Sequence, residues 1–447
     1  MENLSPIVSQ AEVLVNELAS EIEQGEANLQ DAEQRVQRFV NRIGGMITGE
    51  IVERVAEPTG ENTIYVDRRP ARYKERAPLR LKTRFGNYLE RSRRRYAIRG
   101  GGSYYPLDER LGVNMCGGFT PLLTYLVTLF GASEPYEAAA ERLSAALGFE
   151  VSGTAVQTNT ERVGKRLESR PQRVIESQQQ REPSELMVVE TDGVLSPQIR
   201  EQAGVCGRES MREPTEYKEC NLVAIEKHRS GRLPQRWLGG RYGPRDEFEP
   251  YLRESALAMG QEHAEQVVFL ADGARHNWEL QQTNFPEAVA ILDVYHALEH
   301  LGEFCALFRD QLAGKQHYAR WREQIYGGAI VAVLGEMKDA LPKVSDACEA
   351  QKHINYFATN QDRMAYDVYR AKGYPIGSGM VEGAAKYVVG KRFKGSGMRW
   401  KRADNTAVLN ARLHLLNETI EHQFREQSTS CSFRTFHSRC QVGAALS

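Results

Sequence analysis

Two aspartates stand in the same local setting. Leu186-Met-Val-Val-Glu-Thr leads to Asp192-Gly193, and Val267-Val-Phe-Leu-Ala leads to Asp272-Gly273. A buried strand that delivers a lone carboxylate at its tip, with glycine leaving backbone room, is a usual place for a ligand site in α/β sheets. Carboxylates are hard oxygen donors suited to Mg²⁺ or Mn²⁺, which keep waters and bind through few protein ligands. Two such ions held ~3.5–4 Å apart can activate a nucleophile and stabilise the leaving oxygen of a phosphodiester. An Asp-Gly pair is also a common turn, so a single instance decides nothing. Two in one domain, each behind an apolar strand, carry weight.

A third oxygen donor is Glu382 in Gly377-Ser-Gly-Met-Val-Glu-Gly. Ser378 can cap a helix with Glu382 in its early turns, beside a face carrying Lys386, Lys391, Arg392 and Lys394. The plainer role, a glutamate favoured by the helix dipole, stays open. Asp293 and His296 follow another apolar run, and His300 lies four residues beyond His296 on the same helical face. Asp293, His296 and His300 could serve zinc, yet no fourth partner stands at a recognisable spacing. Helix N-capping by Asp293, with His296 packed beneath the site, is the simpler role.

The elements that position these groups must be sought in a chain of 447 residues, long enough for two or three domains. Hydrophobic residues make up 41%, ample for packed interiors. No apolar run approaches the ~20 residues that span a bilayer. The opening MENLSPIVSQAEVL lacks the basic and apolar regions of a signal peptide. A cytoplasmic protein without a membrane partner is expected. The 7 cysteines contain no Cys-x-x-Cys pair, which argues for reduced, mostly buried thiols over a disulfide framework or zinc ribbon.

A net charge of -1 conceals strong segregation. Residues 1–60 hold 4 basic against 11 acidic side chains, residues 66–99 hold 13 against 3, and residues 386–402 hold 7 against none. Two basic stretches in a neutral protein suit a polyphosphate partner.

Residues 1–59 read as an acidic, amphipathic helical segment. One helix is expected over 8–45, with Leu29, Ala32, Val36, Phe39 and Ile43 as a heptad seam. Residues 60–116 read as loop-rich and basic, with Arg93, Arg94 and Arg95 among aromatics suited to phosphate contact and stacking. Residues 117–172 read as helical, with a helix start at Ser133, a break at Gly148 and a second N-cap at Ser152. That layout suits a helix-turn-helix whose second helix presents Thr154, Gln157, Asn159 and Arg162 to a DNA groove. A polar linker at 171–184 precedes an α/β domain over 184–425, helical from about 298 to 372, and a polar tail at 426–447 closes the chain.

Taken in order, Thr191-Asp-Gly, Ala271-Asp-Gly-Ala-Arg-His-Asn-Trp, Leu292-Asp-Val-Tyr-His-Ala-Leu-Glu-His-Leu and Gly377-Ser-Gly-Met-Val-Glu-Gly resemble the catalytic blocks of bacterial insertion-sequence DDE transposases of the Kra-type group, related to Mutator-like transposases. Val388-Val-Gly-Lys-Arg-Phe-Lys-Gly-Ser-Gly-Met-Arg-Trp is similar to the same family, and the likeness covers roughly residues 100–416. It implies an RNase H-like catalytic domain, a mixed sheet with flanking helices. Asp192 would lie on its first strand, Asp272 on its fourth, and Glu382 on a helix after a helical insertion at about 300–372. It implies two Mg²⁺ or Mn²⁺ ions held by these three residues, with Asp293 and His296 in support. Arg399, Lys401 and Arg402 would grip phosphates. The partner would be double-stranded DNA, both terminal inverted repeats and target, with the protein a homo-oligomer in the synaptic complex. Many relatives carry a Cys-x-x-Cys pair ahead of the Pro-Leu-Asp segment, here Pro106-Leu-Asp, and this chain has none. Two rival readings remain: a catalytically silent DNA-binding protein derived from a transposase, and a glycoside hydrolase using two of the acids. The intact triad speaks against the first; the basic stretches and only 4 tryptophans speak against the second.

Overall fold

The computed structural model describes residues 5–58, 60–114, 116–167, 183–199, 214–421 and 424. Most of the expected linker, the tail from 426, and Cys206, Cys431 and Cys440 lie outside the described residues. The chain divides into one unit of residues 1–167 with 419–447, and a second of residues 168–418.

The first unit opens with α1 (Ser5–Glu23) and α2 (Leu29–Arg54), where the sequence predicts one helix. The chain breaks at Gly25 (φ 72°), and Asn28 starts α2 with a reciprocal capping box to Asp31. Arg35 reaches back to Glu17 and Glu21, and Arg42 to Gln10, so the helices pair antiparallel. Much of the expected seam faces outward: Leu29 is 70% and Val36 45% exposed.

The basic stretch is an antiparallel four-stranded sheet, not the expected loops: β1 (Thr63–Val66), β2 (Arg69–Lys82), β3 (Tyr88–Ile98) and β4 (Ser103–Tyr104). Leu79, Leu81 and Leu89 share a small core with Val113. The arginines tolerate strand geometry because the fold supplies acceptors: Arg91 donates to the Val52 carbonyl, Arg93 pairs with Asp108 at 2.5 Å, and Arg95 with Glu75 at 2.7 Å.

After the short α3 (Pro106–Arg110) come α4 (Pro121–Ser133), α5 (Tyr136–Leu147) and α6 (Gly153–Arg166). Ser133 ends α4 and does not start α5, which begins behind Pro135. Gly148, at φ 73°, closes α5, and the Ser152 side chain accepts from the Ala155 amide at 3.2 Å to open α6, as the spacing predicts. The three helices pack around Leu123, Val127, Leu143 and Val156.

The second unit is built on a mixed five-stranded sheet of order β7-β6-β5-β8-β9. Its strands are β5 (Ser184–Ile199), β6 (Thr215–His228), β7 (Gln235–Tyr242), β8 (Ala264–Ala271) and β9 (Val289–Leu292). The first three in sequence form an antiparallel meander, while β8 pairs parallel to β5 and β9 parallel to β8. Helices α7 (Arg245–Ala258) and α8 (Arg275–Asn284) make the crossovers that parallel pairing requires. Continuous apolar runs suit strands covered on both faces, and Val189, Val223, Ile225, Val268, Phe269 and Leu270 are wholly buried. Beyond β9, α9 (Val294–Ala306), α10 (Gln311–Tyr326), α11 (Ile330–Ala340), α12 (Ala347–Asn360) and α13 (Tyr366–Ala371) continue the same core through Phe304, Phe308, Trp321 and Phe357. Among the described residues, no helix is long and apolar enough to cross a membrane.

Phe269 is wholly enclosed, with its ring 5.5 Å from that of Phe285. Phe269→Ala is expected to cost about 3–5 kcal/mol through lost burial and the cavity left behind. All 4 tryptophans lie within residues 168–418, so a urea titration followed by their fluorescence reports on this unit. An unchanged midpoint would remove Phe269 from the core.

Candidate active site

The site starts from strand register. Thr191 opposite Ala271 is the last parallel pair between β5 and β8. Asp192 and Asp272 are therefore the next residues on neighbouring strands, whose backbones run roughly 4.8 Å apart. Asp272 follows the end of β8, as the sequence predicts. Asp192 does not sit at a strand tip, because β5 runs on to Ile199, paired beyond this point with β6. What ends there is the partner strand, and that opens one edge of Asp192.

The Asp192 Oδ1 accepts from the Gly193 amide at 2.7 Å. The Asp272 Oδ1 accepts from the Ala274 amide at 3.0 Å and the Asn277 side chain at 2.7 Å. Among the described residues, these bonds all land on Oδ1, which leaves Oδ2 of each aspartate for a ligand. The two line one pocket with Glu219, Asn221, Arg245 and Asn277. A β-carbon at 273 would collide with the Tyr356 ring, while one at 193 would meet only the carboxylate end of the half-exposed Glu219 side chain, which can move aside. Burial pushes the Asp192 carboxyl up, Asp272 and Glu382 add to this, and the Gly193 amide and His296 oppose it.

Glu382 lies on α14 (Gly379–Ala384) and lines a groove with Tyr295, His296, Glu299 and Tyr318. It is close enough to raise the proton affinity of Asp192. Among the described residues, Asp192, Asp272 and Glu382 do not bring one oxygen each within 4.8 Å of one another. The aspartates are thus a neighbouring pair, and Glu382 stands on an adjoining wall.

Two contacts hold that wall. Ser378 precedes α14 as expected, but its hydroxyl donates to the Asp293 carboxylate and caps nothing. The amide of Val381 is taken instead by Glu190 Oε2 at 2.8 Å. Glu190 is buried, two residues before Asp192 and so on the same face of β5. Burial pushes its carboxyl up to about 7, against the pull of the Val381 amide and with a further push from Asp293 and Glu226. No motif marks Glu190; the signal available in the sequence is an ionisable residue inside an apolar strand.

Asp293 is fully buried and caps α9, accepting from the Tyr295 amide at 2.9 Å. It also accepts from His296 Nδ1 at 2.8 Å. Burial pushes its carboxyl up, but the bonds from His296, Ser378 and Tyr295 outweigh this and hold it below the usual range. His296 is pushed up to about 9, first by its bond to Asp293 and then by the charges of Asp293, Asp272 and Asp192, against burial. It is an imidazolium at neutral pH. The zinc set of Asp293, His296 and His300 does not form, since His300 turns to His353, with Nδ1 atoms 3.0 Å apart.

The residues expected to meet DNA divide sharply. Lys386, Lys391, Lys394 and Lys401 are exposed and Arg399 is half-buried, while Arg402 lies outside the described side chains. Arg392 is buried with its guanidinium over the Trp400 ring, so it is structural. On α6, Thr154 and Gln157 are exposed. Asn159 is not, since it is buried and donates to Thr124 and Thr128 at 3.2 Å, and Arg162 in turn donates to it at 2.5 Å. Arg93 is tied to Asp108, Arg94 stacks on Tyr73, and Arg95 pairs with Glu75.

No protein-family model matches the chain, and no curated protein does. Among solved structures, the Drosophila P element transposase strand transfer complex is similar at 10% sequence identity and a TM-score of 0.28, over 72% of this chain and 85% of that one. A likeness of that size establishes neither fold nor activity.

The folded imidazole of His296 holds its proton more tightly than the unfolded one, at about 9 against 6.5. Its stabilisation is complete below pH about 6.5 and is lost as the pH rises through about 9. The gap in urea midpoint between wild type and His296→Gln should therefore be wide at pH about 6 and narrow at pH about 10. Glu190 titrates in both proteins and cancels. An equal gap at the two pH values would contradict the assignment.

Proposed function

We propose that residues 184–418 form an RNase H-like catalytic domain and that the chain is a DDE transposase of an insertion sequence, cutting and joining the ends of a mobile DNA element. The observation that carries this is the adjacency of Asp192, on the first strand, and Asp272, directly after the fourth, in a sheet ordered 3-2-1-4-5, with three strands antiparallel and two parallel. The motif resemblance implies the same placement independently.

The donor chemistry suits Mg²⁺ or Mn²⁺, since both aspartates keep one oxygen outside their hydrogen bonds and such ions need few protein ligands. Asp192 and Asp272 would hold one ion jointly, and Glu382 would help hold a second. Bound divalent metal lowers the pKa of an attacking water and stabilises the leaving oxygen of a phosphodiester. His296, kept cationic by Asp293, offsets the carboxylate charge that would otherwise repel the DNA backbone. Lys386, Lys391, Lys394 and Lys401 present charge for phosphate contact near Glu382 in the chain. In the first unit, α5 and α6 have the order of a helix-turn-helix, and Thr154 and Gln157 are the expected residues exposed on α6, Gln157 donating to Glu161 at 2.9 Å. Hydrolysis at each element end would free a 3′-hydroxyl, which then attacks target DNA with no covalent protein intermediate. Synapsis of two ends would call for a homo-oligomer.

The test uses the full chain and DNA carrying the element's own ends, with Mg²⁺ or with chelator. Asp192→Asn and Asp272→Asn should each lower cleavage by about 10³-fold or more while DNA binding stays within about twofold. Full Mg²⁺-dependent cleavage by Asp192→Asn would sink the assignment. Tight binding without cleavage by the wild type would favour the silent DNA-binding reading.

Glu190 acts through the helix of Glu382 and is a positioning residue. Glu190→Ala should slow cleavage about 10–100-fold, whereas Glu190→Gln, which still offers an oxygen to the Val381 amide, should restore most of it. Equal losses in the two variants would separate Glu190 from Glu382.

A further inference from the structure

Three side chains between α9 and α12 have no part in the chemistry above. His300 and Glu303 lie one turn apart on α9, and His353 comes from α12, buried at 5% exposure. The two Nδ1 atoms are 3.0 Å apart, and Glu303 Oε2 is 3.9 Å from His300 Nδ1 and 3.8 Å from His353 Nδ1.

Two arrangements are compatible with the 3.0 Å between the two Nδ1 atoms, and the position of Glu303 distinguishes them. A hydrogen-bonded histidine pair needs one Nδ1–H and one bare Nδ1, and it leaves a carboxylate at 3.8–3.9 Å with no bond to either ring. A metal ion needs all three atoms to face one point. The three atoms lie 3.0, 3.8 and 3.9 Å apart, which brackets the ~3.4 Å between ligand atoms around a tetrahedral zinc ion with bonds of ~2.1 Å. The ring of His300 is also fixed, stacked on Tyr356 with centroids 3.7 Å apart and planes at 24°. Two imidazoles with one carboxylate select zinc-class ions over Mg²⁺, which prefers all-oxygen sites.

We propose that His300, Glu303 and His353 bind a zinc-class transition-metal ion, with water in the open fourth position, and that this ion pins α9 to α12. Its effect would reach the carboxylate pocket by direct contact. Tyr356, which stacks on His300, also lies against Gly273, the residue after Asp272.

The test starts from the chelator-stripped full chain carrying Asp192→Asn and Asp272→Asn, which removes the carboxylate pocket as a competing site and makes the result independent of DNA cleavage. Calorimetry with Zn²⁺ should find one bound ion, and Co²⁺ in its place should give the strong visible bands of a four-coordinate nitrogen–oxygen site. Adding His353→Gln or Glu303→Gln should weaken Zn²⁺ by about tenfold or more. Glu303 has a largely exposed side chain, so its replacement separates loss of a ligand from loss of the fold. No Zn²⁺ bound, meaning a hydrogen-bonded histidine pair only, overturns the proposal. So does equal Zn²⁺ affinity with and without the added substitutions.

Discussion

Asp293 is a carboxylate with no exposed surface, held ionised by three donors from two parts of the chain. Tyr295 and His296 belong to the helix that follows β9, while Ser378 belongs to the segment entering α14. The bonds pull together stretches 85 residues apart, and the backbone adds to them: the Asp293 amide donates to Ala271 and the Val294 amide to Ile376. A buried charge is tolerable only when its acceptor sites are filled, so removing any one donor would disturb the others. The sheet end that carries Asp272 and the helix that carries Glu382 thus share one anchor.

A second carboxylate anchors the same helix. Glu190 bonds the first free amide region of α14 from within β5, the strand that bears Asp192. The candidate site is thereby framed by two acids that touch no reacting group, one held below the usual range and the other lifted to about 7. Their difference follows from their partners. Asp293 receives a cation and a hydroxyl besides a backbone amide, whereas Glu190, among the described residues, receives backbone amides alone and faces other acids.

Much of this was legible in the chain. Strands covered on both faces read as unbroken apolar runs, so the cores of β5, β6, β8 and β9 stand out, and the Asp-Gly steps that follow the apolar runs of β5 and β8 mark the pocket. Strand β7 does not stand out, because Gly239 and Gly240 break its apolar run. They do so where a β-carbon would strike Tyr251, Val223 and Leu222. The sheet of the first unit is hidden for another reason: its charged residues fill the exposed positions of the strands, while only a few, such as Arg91 and Arg93, bond into the fold. Asn159 and Arg392 do likewise at single positions, where polar residues suited to DNA are consumed by internal bonds or packing. Which polar side chains have partners is a tertiary fact, and local pattern does not encode it.

The placement of Asp192 within β5, not after it, has a consequence of parity. Side chains alternate across a strand, so every residue between Leu186 and Asp192 counts toward which side of the sheet the carboxylate faces. A one-residue insertion or deletion there would turn Asp192 away from Asp272. A two-residue change would restore the side but shift it past the pair Thr191–Ala271. A carboxylate on a loop could absorb such a change, whereas this one is indexed by the ladder. Length in this stretch is therefore as constrained as chemistry.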